Sequence, residues 1–213
     1  MNKYLIVNAD DFGYSYSVNK GIIEAHTNGI VTSTSVLVDS IAAQEAKDLV
    51  KFPNLSIGLH LEISTEGNVK QELGRQLRKF NSIVGREPDH IDTHKRSIDV
   101  QGVKEALESY AKNHKTPVRN FGHAKFIEDF FGFRSEGDLS VGRLKKAIDQ
   151  ATDEYNELMC HVGYSDDYLR EHSSYNDPRE EELKSICSSE IKSYIKQSGL
   201  TLVNWKEFKE MII

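Results

Sequence analysis

Two hydrophobic periods take turns along this chain, one suited to strands and the other to helices. Tyr4-Leu5-Ile6-Val7 is an apolar run that predicts a strand, and Val18 to His26 carries helical spacing. Thr32-Ser33-Thr34-Ser35-Val36-Leu37-Val38, rich in β-branched residues, predicts a second strand, with a helical pattern from Ile41 to Val50 behind it. Leu55 to Leu61 predicts a third, followed by Leu73, Leu77 and Phe80 at near-helical spacing. His90-Ile91-Asp92-Thr93-His94 alternates as a fourth strand, and Val103 to Tyr110 reads as helix. Thr116-Pro117-Val118-Arg119 predicts a fifth, whose proline suits only a strand start or an edge. Five phenylalanines between 121 and 137 mark an ordered loop, and Val141 to Ala151 returns to helical spacing. Glu157 to His161 and Leu200 to Val203 predict strands six and seven, with a terminal helix from Trp205.

Between the last two strands, Asp177-Pro178-Arg179-Glu180 reads as a helix start: a capping aspartate, proline in the first turn and glutamate three residues after the cap. Ser188 predicts a second cap and Gly199 a helix end. No repeat or break in composition divides the chain, so residues 1–213 are expected to form one domain. About seven strands alternating with helices imply a parallel sheet, either doubly wound or curled into an irregular or incomplete (β/α) barrel. Polar residues at successive strand ends favour the barrel.

Composition narrows the function classes. The chain is 38% hydrophobic and 28% charged, ordinary for a globular domain, with a net charge of −6 and no long basic stretch. A nucleic-acid surface would need clustered lysines and arginines, so nucleic acid is excluded as a partner. No apolar run reaches the roughly 20 residues of a membrane span, and the N-terminus lacks a signal-peptide pattern, which predicts a cytoplasmic protein with no membrane partner. Cys160 and Cys187 are expected to be free thiols.

The chemistry gathers where strands end. Asp10 and Asp11 follow the first strand, His60 closes the third, His94 the fourth, Arg119 the fifth and His161 the sixth. In a βα barrel all these ends share one rim, so the set converges on one mouth. A carboxylate with two or three imidazoles is the ligand inventory of a catalytic divalent-metal site with a position open to water. Taken singly, the aspartates also suit turns or caps, and His60 a histidine bonded to backbone. His90, Asp92 and His94 share a strand face, but the outer two lie roughly 13 Å apart and cannot both bind one ion. His94 is nearest the rim and is the expected ligand; Asp92 is placed to orient a histidine, and His90 lies deeper. His26, His114, His123 and His172 have no evident partners and read as surface or structural.

Six segments in order resemble the motifs of the YdjC-like carbohydrate deacetylases: Leu5 to Gly13, Gly29 to Ser35, Gly58 to Leu61, His90 to His94, Glu157 to His161 and Ser174 to Arg179. The resemblance spans nearly the whole chain. It implies an irregular, polysaccharide-deacetylase-like βα barrel, a metal held by an aspartate and two histidines, and hydrolysis of a sugar N-acetyl group. By position the ligands would be Asp11, His60 and His94, with Asp10 as general base. A homodimer is a family-level expectation. The chain departs from the pattern at Lys95-Arg96-Ser97-Ile98, where further histidines and a proline are usual, at Val162 in place of proline, and in a short segment between His60 and His90.

The implied reaction is attack of metal-bound water on the amide carbonyl, with Asp10 taking the proton and His161 protonating the leaving amine. Two imidazoles favour zinc, while the resemblance also admits magnesium. Arg119, Lys95 and Arg96 are the candidates for substrate contact, and the last two, as cations on the rim, suit an anionic sugar substituent. A metal-dependent amidohydrolase or esterase with a non-sugar substrate would use the same residues. A sugar-binding protein without catalysis would keep only the metal ligands.

Overall fold

The computed structural model describes residues 2–63, 67–127, 129–130 and 137–212. Strand β1 (Lys3–Phe12) is the axis: it pairs in parallel with β2 (Ser33–Val36) and β7 (Leu200–Leu202) along one edge and with β6 (Tyr155–Cys160) along the other. Beyond β2 lie β3 (Ser56–Leu61) and β4 (Ile91–Thr93), and beyond β6 lies β5 (Lys125–Ile127), giving the order β4-β3-β2-β1-β6-β5. All these pairings are parallel, and the sheet curls into an incomplete barrel. The expected fold class holds. Among the described residues no helix is long and apolar enough to cross a membrane.

The helices are α1 (Tyr16–Asn28), α2 (Val69–Val84), α3 (Val103–His114), α4 (Val141–Ile148), α5 (Asp167–His172), α6 (Pro178–Ile186), α7 (Ser189–Gln197) and α8 (Trp205–Ile212). Ser15 starts α1 by accepting the Val18 N–H at 3.2 Å, and Ser188 caps α7. The segment Ala43–Lys51 forms a 3-10 helix where an α-helix is expected. Asp177 precedes α6 but makes no capping bond with its side chain; Pro178 and backbone geometry start that helix instead. The fifth strand is also displaced. Thr116–Arg119 makes a single bridge, Ile91 to Val118, because Pro117 has no N–H to donate, and the paired strand is Lys125–Ile127. The loop expected over 121–137 lies partly outside the described residues.

Alternation along the strands separates two environments. Leu5, Val7 and Ala9 of β1 join the apolar core beneath the helices, whereas Ile6 packs with Val203, Trp205 and Phe208. Above that small cluster the same face turns polar: Asn8 and Asp10 of β1, Ser35 of β2, His60 of β3, His90 just before β4, Asp92 of β4, and Glu157 of β6 are all buried. Gly58 makes room for His90, since a Cβ there would lie 2.3 Å from the His90 ring. The floor is therefore apolar and the column leading to the mouth carries charge.

Candidate metal and catalytic site

Asp10 and Asp11 owe their shared direction to an irregularity. The register of β1 with β2 shifts between Ala9 and Phe12, and Asp11 sits at φ +73°, in the left-handed region that aspartate tolerates better than most residues. Consecutive strand residues ordinarily face opposite sides, yet here both aspartates line one cavity. Gly13 closes the turn at φ +98°, where a Cβ would meet the Leu37 carbonyl at 2.9 Å. Its N–H donates to Asn19 Oδ1 at 2.5 Å, tying the turn to α1.

The cavity holds about 630 Å³, a usual size for a small-molecule site. It is lined by Asp10, Asp11, His60, His94, Arg119 and His161, together with Lys95 and the 172–175 segment. Arg96 is exposed and is not among the lining residues. His172, expected to be surface or structural, is exposed and also borders the cavity, and its carbonyl accepts the Tyr14 hydroxyl at 2.7 Å.

Asp11 Oδ1 lies 3.3 Å from His60 Nε2 and 3.7 Å from His94 Nε2. Donors around a tetrahedral ion with bonds of 2.0–2.1 Å stand about 3.3 Å apart. Asp11 Oδ1 is buried without a hydrogen-bond partner among the described residues, a costly arrangement for a carboxylate oxygen unless a cation meets it. The donor set is thus compatible with a divalent metal. A second set, Asp10, His60 and Asp92, also gathers within 4.8 Å, but Arg119 already engages both of its carboxylates.

Each imidazole is oriented from behind. Asp92 Oδ1 lies 2.6 Å from His60 Nδ1, and Glu62 Oε1 lies 2.9 Å from His94 Nδ1, which turns both Nε2 atoms toward Asp11. Burial works against protonation of His60, but Asp92, Asp10 and Asp11 outweigh it and push its pKa up to about 10. The same field favours positive charge at this point. His90 lies deeper, stacked on Trp205 with ring centroids 5.4 Å apart.

Two arginines flank the aspartates. Arg119 grips Asp10 with both Nη atoms, at 2.7 and 2.8 Å, and also reaches Glu157 at 2.9 Å and Asp92 at 3.0 Å. The sequence offered Arg119 to substrate; its donors are instead committed to three buried carboxylates. Arg179, at the start of α6, donates Nη2 to Asp11 Oδ2 at 2.6 Å. Burial would raise the Asp11 pKa, yet the charges of Arg179 and His60 hold it well below the carboxylate range. His161 follows β6, donates its backbone N–H to Glu182 Oε2 at 2.6 Å and meets the Tyr175 ring edge-on. Burial lowers its pKa, against the pull of Asp11 and Asp10.

Arg179, Glu62 and Glu182 escaped sequence reasoning. Arg179 belongs to a motif the sequence singles out, but its local pattern signals only a helix start.

A family model described as YdjC-like protein matches residues 4–68 and 65–197. The break falls in the segment between His60 and His90 expected to be short. A carbohydrate deacetylase of Geobacillus stearothermophilus is 31% identical, with 99% of this chain and 100% of that protein aligned over 250 positions. A chitooligosaccharide deacetylase of Serratia marcescens is 29% identical over 97% of this chain and 100% of that one. Among solved structures, a protein of Enterococcus faecalis V583 conjectured to cleave cellobiose phosphate superposes with a TM-score of 0.84 at 27% identity, over 97% of this chain and 99% of that one. A family 4 acetyl xylan esterase from Clostridium thermocellum shares the fold alone, with a TM-score of 0.61 at 10% identity over 98% and 91% of the two chains.

Proposed function

The chain belongs to the YdjC-like family, and on that premise we propose that it is a metal-dependent hydrolase that removes the N-acetyl group from an acetylated sugar or oligosaccharide. The observation that carries this reading is the idle, buried Oδ1 of Asp11 facing two oriented imidazoles, with Asp10 and His161 on the same cavity wall. Similarity to carbohydrate and chitooligosaccharide deacetylases supports the substrate class.

A divalent ion held by Asp11, His60 and His94 would acidify a water and polarise the amide carbonyl; two imidazoles favour zinc, with magnesium the alternative. The protein's own groups do the rest. Asp10 accepts the proton of the attacking water; Arg119 fixes its carboxylate through both oxygens, Oδ1 also accepts from Asn8 Nδ2 at 2.8 Å, and Oδ2 keeps a lone pair for that proton. As the C–N bond breaks, His161 gives a proton to the nitrogen, and its lowered pKa makes its protonated form the stronger acid. The acetyl group leaves as acetate and the sugar as amine. Lys95, on the cavity wall, is the group placed to meet an anionic substituent, whereas Arg96 lies off it.

The test is acetate release from a panel of N-acetylated and O-acetylated sugars, neutral and phosphorylated, with metal removed and added back. Turnover of N-acetyl sugars that requires metal supports the reading. Sugar binding without acetate release from any member would replace it with a binding function.

A further inference from the structure

Arg179 and Asp11 meet through one hydrogen bond, and both atoms that could make a second stand idle. Nη2 donates to Oδ2 at 2.6 Å, while Nη1 and Oδ1 are buried without a hydrogen-bond partner among the described residues. A guanidinium and a carboxylate in contact commonly close two parallel bonds, as Arg119 does with Asp10. Here the anchoring of each group prevents it. Nε of Arg179 donates to the Tyr175 carbonyl at 3.0 Å, and its Cζ lies 5.8 Å from the Tyr14 ring and 5.6 Å from the Tyr175 ring. Asp11 is fixed by its positive φ at the irregular end of β1. Leaving a buried donor and acceptor unpaired carries a desolvation cost.

We propose that Arg179 is a positioning residue: it engages only Oδ2, so that Asp11 presents Oδ1 alone to a divalent cation, and its charge loosens the hold of the site on that cation. The inference rests on the reading that Asp11, His60 and His94 form a cation site. A carboxylate that shares its charge with a guanidinium donates less to an ion, which leaves the ion a better polariser of bound groups. One-oxygen ligation also suits a small tetrahedral ion better than a larger one that takes carboxylates through both oxygens.

The experiment measures dissociation constants of Zn²⁺ and Ca²⁺ for metal-stripped wild type, Arg179→Gln and Arg179→Lys by competition with a chelating dye. Glutamine keeps a donor and removes the charge, so zinc binding should tighten by about tenfold, a modest share of what a unit charge a few ångströms away is worth in a protein-like dielectric. Calcium should gain more than zinc, and the visible absorption of the cobalt(II) form should weaken as Asp11 adds its second oxygen. Turnover should fall with KM little changed. Lysine, which keeps the charge, should stay within about threefold of wild type. Should glutamine prevent folding, Arg179→Met, an apolar replacement that removes the charge, carries the same expectation. Zinc binding that weakens, or that keeps both its affinity and its preference over calcium, in the charge-free variant would overturn the proposal and leave an ordinary buried ion pair. A wild type that takes up no divalent ion at one per chain would overturn the cation site itself, a different failure.

Discussion

Asp10 and Asp11 are neighbours in sequence, and each is held by an arginine brought from far along the chain. On the Asp10 side, Arg119 is bonded through both Nη atoms and surrounded by Asp10, Asp92 and Glu157, so that its charge is met from three directions. On the Asp11 side, Arg179 makes one bond to the carboxylate and leaves an oxygen and a nitrogen without partners. The first pair is complete within the protein. On the proposed reading a cation completes the second, which would separate a group that stays still from one that coordinates.

Removing the arriving partner should have the largest effect. Exhaustive chelation, verified by elemental analysis, should abolish acetate release, and added Zn²⁺ or Mg²⁺ should restore it; full activity without metal would erase the distinction between the two aspartates. Next come the aspartates themselves. Asp10→Asn should retain metal while turnover falls by about 10²–10⁴, the range for a lost general base. Asp11→Asn should lose metal affinity first and recover part of its turnover in excess metal. Metal stoichiometry and rate across a metal titration decide between them, and the reverse pattern would exchange their roles.

A stability comparison sharpens the contrast. Arg119→Met strands three buried carboxylates and should cost about 3–5 kcal/mol in denaturant unfolding, near the upper end for breaking a buried ion pair. Arg179→Met strands one, and its smaller loss should shrink further when metal is present. Equal losses, with and without metal, would mean that the two pairs are alike. The smallest expected effect is in pH. The folded pKa of Asp11 lies well below its ordinary 3.8, because the charges of Arg179 and His60 outweigh burial. Its contribution to stability is therefore present above 3.8 and lost as pH falls from there toward the folded value. Asp11→Asn should flatten that part of the unfolding profile, and an unchanged slope would count against the pairing.

The apolar and β-branched runs of the strands, the alternation of His90 to His94 and the clustering of histidines and aspartates at strand ends made the barrel and its mouth legible from sequence. Those features depend only on local pattern. The carboxylate partners of Arg119 left no mark in the sequence because they sit on β1, β4 and β6, and only the curl of the sheet brings them together. The left-handed turn at Asp11 left no mark either, since aspartate before Phe12-Gly13 is as compatible with an ordinary turn. Displacement of the fifth strand to Lys125–Ile127 reflects a contest that local propensity could not decide: Val118 favours a strand, but Pro117 denies it a donor.

The central position of β1 bears on how the protein is made. A ribosome releases Asp10 and Asp11 well before their partners: β6, which seals one edge of their strand, lies some 150 positions later, and Arg179 stands 168 residues beyond Asp11. Until those segments emerge, the strand has β2 for company and an open edge of unpaired N–H and C=O groups on its other side. Pairings of such long range are slow to close and expose the nascent chain to association meanwhile. The strand that carries both aspartates is therefore enclosed only after its distant partners have been made.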